Sequence, residues 1–149
     1  MTGIRSALFG YLAALESLTG GEGGGALGLP DDPRIYPHGA PARSPMPYVV
    51  YKRSDTPEAR TLSRVKELRG ATFDLEIWGD DVDQVEEVVE ALRAALEDAR
   101  GDVAGVSIRS VELQGEVDDA VRPEDGSEVT WFVTILTARL TYVNLKAGA

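Results

Sequence analysis

The sequence predicts an α+β fold: a mostly antiparallel four-stranded sheet with two main helices packed on one face, and a long Pro- and Gly-rich loop near the N-terminus. Three observations predict it. Residues 71–78, ATFDLEIW, place Phe73, Leu75 and Ile77 on one side and Asp74 and Glu76 on the other, the period of a half-buried strand. Residues 81–99 carry Val82, Val85, Val88, Val89, Leu92, Leu96 and Ala99 at helical steps, a continuous apolar stripe. Residues 128–145 form a long β-branched and aromatic run. The order helix, long loop, strand, arm, strand, helix, strand, strand fits helices laid on one face of a sheet.

From the N-terminus, Ile4, Leu8, Tyr11, Leu12, Leu15 and Leu18 fall at helical spacing, which predicts an amphipathic helix over 4–18 that stops at Gly20-Gly21. The opening has one early Arg and an apolar middle, like a secretory leader. Glu16 interrupts it, however, and no clear small-residue cleavage site precedes the glycines. Residues 20–28, GGEGGGALG, read as a flexible linker. Prolines at 30, 33, 37, 41, 45 and 47 withhold backbone donors, so the stretch to Pro47 reads as a loop rather than a strand or helix. Tyr48 to Arg53, YVVYKR, reads as a strand. Residues 54–68 leave two readings open, a short helix started by Pro57 or an extended arm.

Asp80 or Asp81 caps the central helix, Gln84 stands where a capping box needs it, and Gly101 ends it. Residues 105–117 read as a strand whose apolar phase changes between Ile108 and Val111, which predicts a bulge near Arg109 and Ser110. A polar loop with Pro123 and Gly126 follows. The last strand begins with apolar residues on both faces, Trp131, Val133 and Ile135 against Phe132 and Leu136, so its first half should be covered on both sides. No internal repeat is visible. Residues 1–149 read as one domain, with a helix over 1–19, a flexible loop over 20–47, and the sheet with its main helix over 48–145.

A chain of 149 residues can bury a core of its own. The absence of cysteine excludes a disulfide framework, thiolate metal sites and a cysteine nucleophile. A net charge of −10 suits the chain poorly to gripping phosphates, since nucleic-acid affinity comes largely from Lys and Arg. No apolar run approaches the roughly 18 residues of a membrane span, so no membrane partner is expected.

The residues that could carry chemistry have simpler explanations. His38 is the only histidine and lies in the Pro-rich loop without a thiol, a serine motif or a paired carboxylate nearby. The glycine run lacks the Lys-Ser/Thr ending of a phosphate loop and carries Glu22. Acid clusters at Asp31-Asp32, Asp80-Asp81-Asp83, Asp118-Asp119 and Glu124-Asp125 have no calcium-loop spacing, and the group at Asp80 suits a helix N-terminus. Nothing selects one carboxylate pair for acid–base work. No catalytic residue, metal ligand or cofactor is expected.

Charge distribution is more informative. Residues 43–69 carry seven basic groups and three acids, a net of +4. Residues 80–98 carry eight acids and only Arg93, and residues 112–128 carry seven acids and only Arg122. Such clumping suits a solvated surface, and equally suits complementary patches on neighbouring copies, whose head-to-tail contacts close into a ring when the rotation divides a circle evenly. The candidate interface residues are Arg53, Arg60, Arg64, Lys66 and Arg69 on the basic side, and Asp118, Asp119, Glu124 and Asp125 on the acidic side.

The run Arg34 to Leu62, RIYPHGAPARSPMPYVVYKRSDTPEARTL, resembles the early part of the tail-terminator or tail-completion proteins of long-tailed bacteriophages. It carries their Ile-Tyr-Pro, Pro-Tyr-Val-Val-Tyr and Thr-Pro elements. Phe73 to Leu96 resembles their next part, a strand ending in an aromatic residue and then a patterned helix, and the closing strand around Trp131 to Tyr142 is similar as well. The resemblance implies a non-enzymatic virion subunit that forms a ring, usually a hexamer. That ring caps the finished tail tube, ends its polymerisation and offers the head-joining surface. The implied partners are copies of the chain, the tail tube protein and a head-completion or neck protein, with DNA passing the lumen unbound. The implied location is the virion tail or neck, after assembly in the host cytoplasm. The alternatives are another neck ring protein (head closure or adaptor), a small acidic carboxylate-dependent enzyme, and a dimeric binding module.

Overall fold

The fold, taken from a computed structural model, is described for residues 3–14, 27–29, 32–42, 44–54, 68–122 and 129–145. Its elements in chain order are α1 (Ile4–Ala13), β1 (Gly28–Leu29), β2 (Asp32–Pro33), β3 (Ile35–Pro37), β4 (Tyr48–Arg53), β5 (Leu68–Gly79), α2 (Val82–Glu97), β6 (Gly101–Val103), β7 (Val106–Val121) and β8 (Trp131–Asn144). β1 and β2 form a small antiparallel ladder. The other strands form one sheet in the order β3-β4-β5-β8-β7-β6. β3 runs parallel to β4, and every other pair is antiparallel.

The fold remains α+β, but the expected four-stranded, mostly antiparallel sheet is wrong: the sheet is six-stranded and mixed. The two extra strands are its edges. β3 lies inside the Pro-punctuated stretch expected to be loop. Prolines are tolerated there because an edge strand pairs on one side only. The flanking non-proline groups carry the ladder: Val49 N–H donates to the Arg34 carbonyl at 2.9 Å, and His38 N–H donates to the Tyr51 carbonyl at 3.1 Å. β6 is joined to β7 by Ala104 and Gly105, whose φ angles of 49° and 81° are both left-handed. Two successive left-handed residues give the turn whose twist suits a hairpin.

β5 pairs with β8 along its whole length, from Leu68 opposite Val143 to Gly79 opposite Phe132. β7 pairs with β8 with two register shifts, one between Ile108 and Ser110 and one between Leu113 and Gly115. The first is the bulge expected at Arg109-Ser110. The second inverts the phase of everything beyond it. Val117 now faces away from the helices and is 63% exposed, while Glu116 and Asp118 face them.

The core lies between the sheet and the two helices. Leu8 and Leu12 of α1, and Val85, Val88, Val89, Leu92 and Leu96 of α2, close over Val49, Tyr51, Phe73, Leu75, Ile77, Leu136 and Leu140. Each such side chain fully buried stabilises by roughly 1.5–3 kcal/mol. Leu27 is 0% exposed within this cluster, so the end of the stretch expected to be a flexible linker is anchored. The first half of β8 is only partly covered: Val133 and Thr134 are buried, but Trp131, Phe132 and Ile135 are half-buried.

Asp81 caps α2, its Oδ1 accepting from Asp83 N–H at 2.9 Å. The expected capping box does not close, because Gln84 Oε1 is buried without a partner. The helix ends at Asp98 rather than at Gly101, whose φ of 114° starts β6. α1 is described to Ala13, so the expected continuation to residue 18 lies outside the described residues, as do the glycine run to residue 26, most of the ambiguous 54–68 segment and the polar loop at 123–128. Among the described residues no helix is long and apolar enough to cross a membrane.

Candidate functional site

The strand register places the described candidate interface residues at two ends of the sheet. Arg53 is the last residue of β4, opposite Phe73, and Arg69 is the second residue of β5, opposite Tyr142; both are exposed. Arg139 is paired with Thr72, and Arg109 sits at the bulge between Ile108, opposite Tyr142, and Ser110, opposite Thr141, so both lie at this same end. Arg139 lies across Gly70, where an added Cβ would meet its Nη2 at 2.8 Å. At the far end are Asp118 and Asp119, opposite Thr134 and Val133, which pair in turn with Ile77 and Trp78. Arg69 and Trp78 are nine positions apart on one strand, about 30 Å. Among the described residues, Arg53 and Arg69 are therefore not brought together with Asp118 and Asp119 within one copy. Arg60, Arg64, Lys66, Glu124 and Asp125 lie outside the described residues.

The acidic end contains a groove of about 530 Å³ between α2 and the β7–β8 hairpin. Val85 and Val89 of α2, Ala120 of β7, and Phe132 and Thr134 of β8 form its floor. Glu86 and Glu90 line the helix side, and Glu116 and Asp118 line the strand side; Asp119 borders the groove from the next position on β7, which takes the opposite face. Val82, 53% exposed, stands at one mouth. At the other, Arg93 is hydrogen-bonded to Glu116 and lies 3.9 Å from Glu90. Thr134 donates its hydroxyl to Asp118 Oδ1 at 2.8 Å, and Asp119 Oδ1 accepts from Ala120 N–H at 2.8 Å. The strand–helix corner that sets this geometry is tight, since a Cβ on Gly79 would lie 2.6 Å from Val85 Cγ2.

The sheet face turned away from the helices carries an aromatic strip. Tyr36 and Tyr48 meet edge to face at 6.1 Å, and Tyr48 stacks on Trp78 at 6.5 Å. Trp78 donates its indole N–H to Glu76 Oε1 at 3.1 Å, and Lys52 Nζ pairs with Glu76 Oε2 at 2.9 Å. Burial, then the neighbouring Glu76 and Tyr36, raise the Tyr48 phenol above its ordinary pKa.

His38, in the left-handed region at φ 64°, accepts on Nε2 from Arg5 at 3.2 Å; it is exposed and remote from the groove. An arginine can only donate, so Nε2 is the unprotonated nitrogen in this contact. Among the described residues no group of three or more His, Cys, Asp or Glu is arranged to hold a metal ion. The groove was missed at sequence level because it needs the second bulge to face Glu116 and Asp118 toward α2. The acids along α2 between apolar steps were its only sequence signal.

The model of the family described as "Tail completion protein gp17" matches residues 6–138. The chain belongs to this family. It is a structural protein of the phage tail, and its place is the virion tail or neck. No curated protein sequence matches the chain. A solved structure with the same fold is a chain from the "virion of native gene transfer agent (GTA) particle". It is 16% identical, with a TM-score of 0.59, and the match covers 93% of this chain and 94% of that one.

Proposed function

We propose that copies of this chain form a ring, six copies in the arrangement expected from sequence, which seats on the end of the tail tube. The ring covers the surface on which the next tube layer would stack, and so ends polymerisation. Its opposite face offers the joining surface for a neck or head-completion protein. The observation that supports this reading is the placement of Arg53 and Arg69 at one end of the sheet and Asp118 and Asp119 at the other in a tail completion protein. A head-to-tail contact between unlike patches uses both ends of every copy, and closes when the rotation divides a circle. Arg53, Arg60, Arg64, Lys66 and Arg69 form one side of that contact; Asp118, Asp119, Glu124 and Asp125 belong to the other side or to the lumen. A lumen lined with carboxylates repels the phosphates of passing DNA, so the strand slides without binding.

The test combines solution mass with electron microscopy. Sedimentation over a range of concentrations should show a closed oligomer, alone or in the presence of tail tube protein. Added to growing tubes, the protein should sit at tube ends and shorten the mean tube length. Tubes that grow to the same length with the protein absent from their ends would remove this reading.

A further inference from the structure

We infer that the groove between α2 and the β7–β8 hairpin receives residues 60–66 of a neighbouring copy. This rests on the ring reading above and names the contact that would build it. The groove has an apolar floor and four carboxylates turned toward it, Glu86, Glu90, Glu116 and Asp118, against the guanidinium of Arg93 at one mouth. Residues 60–66, RTLSRVK, carry Arg60, Arg64 and Lys66, no acid, and the aliphatic side chains of Leu62 and Val65. The segment thus supplies both what the walls lack and what the floor needs. Covering Val82 and Phe132 with aliphatic groups removes apolar surface from water, and cations opposite the carboxylates fix the orientation.

Topology gives the contact its direction. The 55–67 segment joins the sheet between Ser54, whose N–H bonds to the Thr72 carbonyl, and Leu68. The groove floor lies beside residues in register with Ile77 to Gly79. The segment's two attachment points and the groove are therefore near opposite ends of the same sheet. A surface of that kind joins copies head to tail and leaves one segment and one groove open for the next copy, whereas two patches at one end would stop at a symmetric dimer.

The chain has no cysteine, so an introduced thiol reports on its own position. Leu62→Cys in one copy and Val82→Cys in another should give, on oxidation, a mixed disulfide dimer several-fold more abundant than the dimers of either variant alone. Both substitutions on one chain should give an intermolecular ladder. Absence of the mixed dimer, an internal bridge only, or capture of the tail tube protein by Val82→Cys in place of the second copy would each overturn the proposal.

A charge exchange checks the same contact without new bonds. Arg60→Glu with Arg64→Glu, and separately Glu86→Lys with Glu90→Lys, should each raise the concentration for half-assembly at low salt by about tenfold. Each variant keeps one native half of the contact, so mixing the two in equal amounts should restore assembly. If the unaltered chain forms rings but neither pair weakens them, or mixing does not restore them, the groove assignment falls and the ring reading stands. If the unaltered chain forms no oligomer alone or on tubes, both fall.

Discussion

Arg93 on α2 is hydrogen-bonded to Glu116 on β7, and this pair ties the helix to the hairpin across one mouth of the acidic groove. The two side chains are 37% and 39% exposed, so solvent screens the attraction. Arg93→Ala should therefore cost less than about 1 kcal/mol of global stability in denaturant melts. Its local effect should be larger: amide exchange in residues 115–121 should quicken while the centre of β5 is unchanged. Unchanged exchange in the hairpin would show that the pair holds nothing in place.

Two glycines on β5 should respond differently to the same substitution. At Gly79 an added methyl lies 2.6 Å from Val85 Cγ2 and 3.3 Å from Gln84 Oε1, both on the packed helix. Val85 is buried and β-branched, so it cannot rotate away, and Gly79→Ala should lose about 1–3 kcal/mol. At Gly70 the obstacle is the far end of Arg139, which can swing aside into solvent. Gly70→Ala should stay within about 0.5 kcal/mol of the original. Equal thermal shifts for the two variants would contradict this account of the strand–helix corner.

Ala104 occupies a left-handed position, at φ 49°, in the turn between β6 and β7. That conformation costs an alanine roughly 1–2 kcal/mol, while asparagine tolerates it and precedes glycine in the favoured sequence for such turns. Ala104→Asn should stabilise the protein by about 0.5–1 kcal/mol, a rise of a few degrees in Tm for a domain of this size. A fall in Tm would show that the exposed alanine has a contact worth more than its backbone strain.

Tyr11 links the two helices through its hydroxyl, which donates to the Ala95 carbonyl at 2.7 Å. Burial, and then Asp98, hold its phenol above the ordinary pKa. The folded state thus keeps the proton more tightly than the unfolded chain does. The resulting stability is complete below about pH 10 and is lost as pH rises through the raised value. Tyr48 and Tyr51 are shifted in the same direction, mainly by burial. Tyr11→Phe should lose about 1 kcal/mol at neutral pH, and the gap from the original should narrow in urea melts above pH 10. A gap that stays constant with pH would remove the linkage.

Much of the fold was legible from local pattern. The alternation of residues 71–78 lies within β5, the apolar stripe of 81–99 encloses α2, and the phase change after Ile108 marked the first bulge of β7. The edge strands were not legible. Ile35 to Pro37 has too few residues to show a period and is bracketed by prolines, which argue for loop until a neighbour is present to accept and donate around them. Leu27 looked like part of a linker because one apolar residue among glycines carries no periodic signal, yet it is fully buried. For the candidate interface, sequence showed which segments are basic and which acidic, but not that Arg69 and Asp119 stand about 30 Å apart at opposite ends.

Residue order alone was enough to set the α+β character, the main helix with an aspartate cap at 80 or 81, and the family pattern, because each depends on spacing within one segment. Folding in three dimensions settled the sheet's width and mixed direction, since a strand edge is satisfied only by another segment's backbone. It also settled which way Glu116, Val117 and Asp118 face. Beyond Leu113 the apolar alternation of β7 would have continued inward through Val117, and pairing with β8 forces one extra residue into the strand at that point. That single shift of register turns two carboxylates toward α2 and an aliphatic side chain away from it, because neighbouring positions on a strand point to opposite faces.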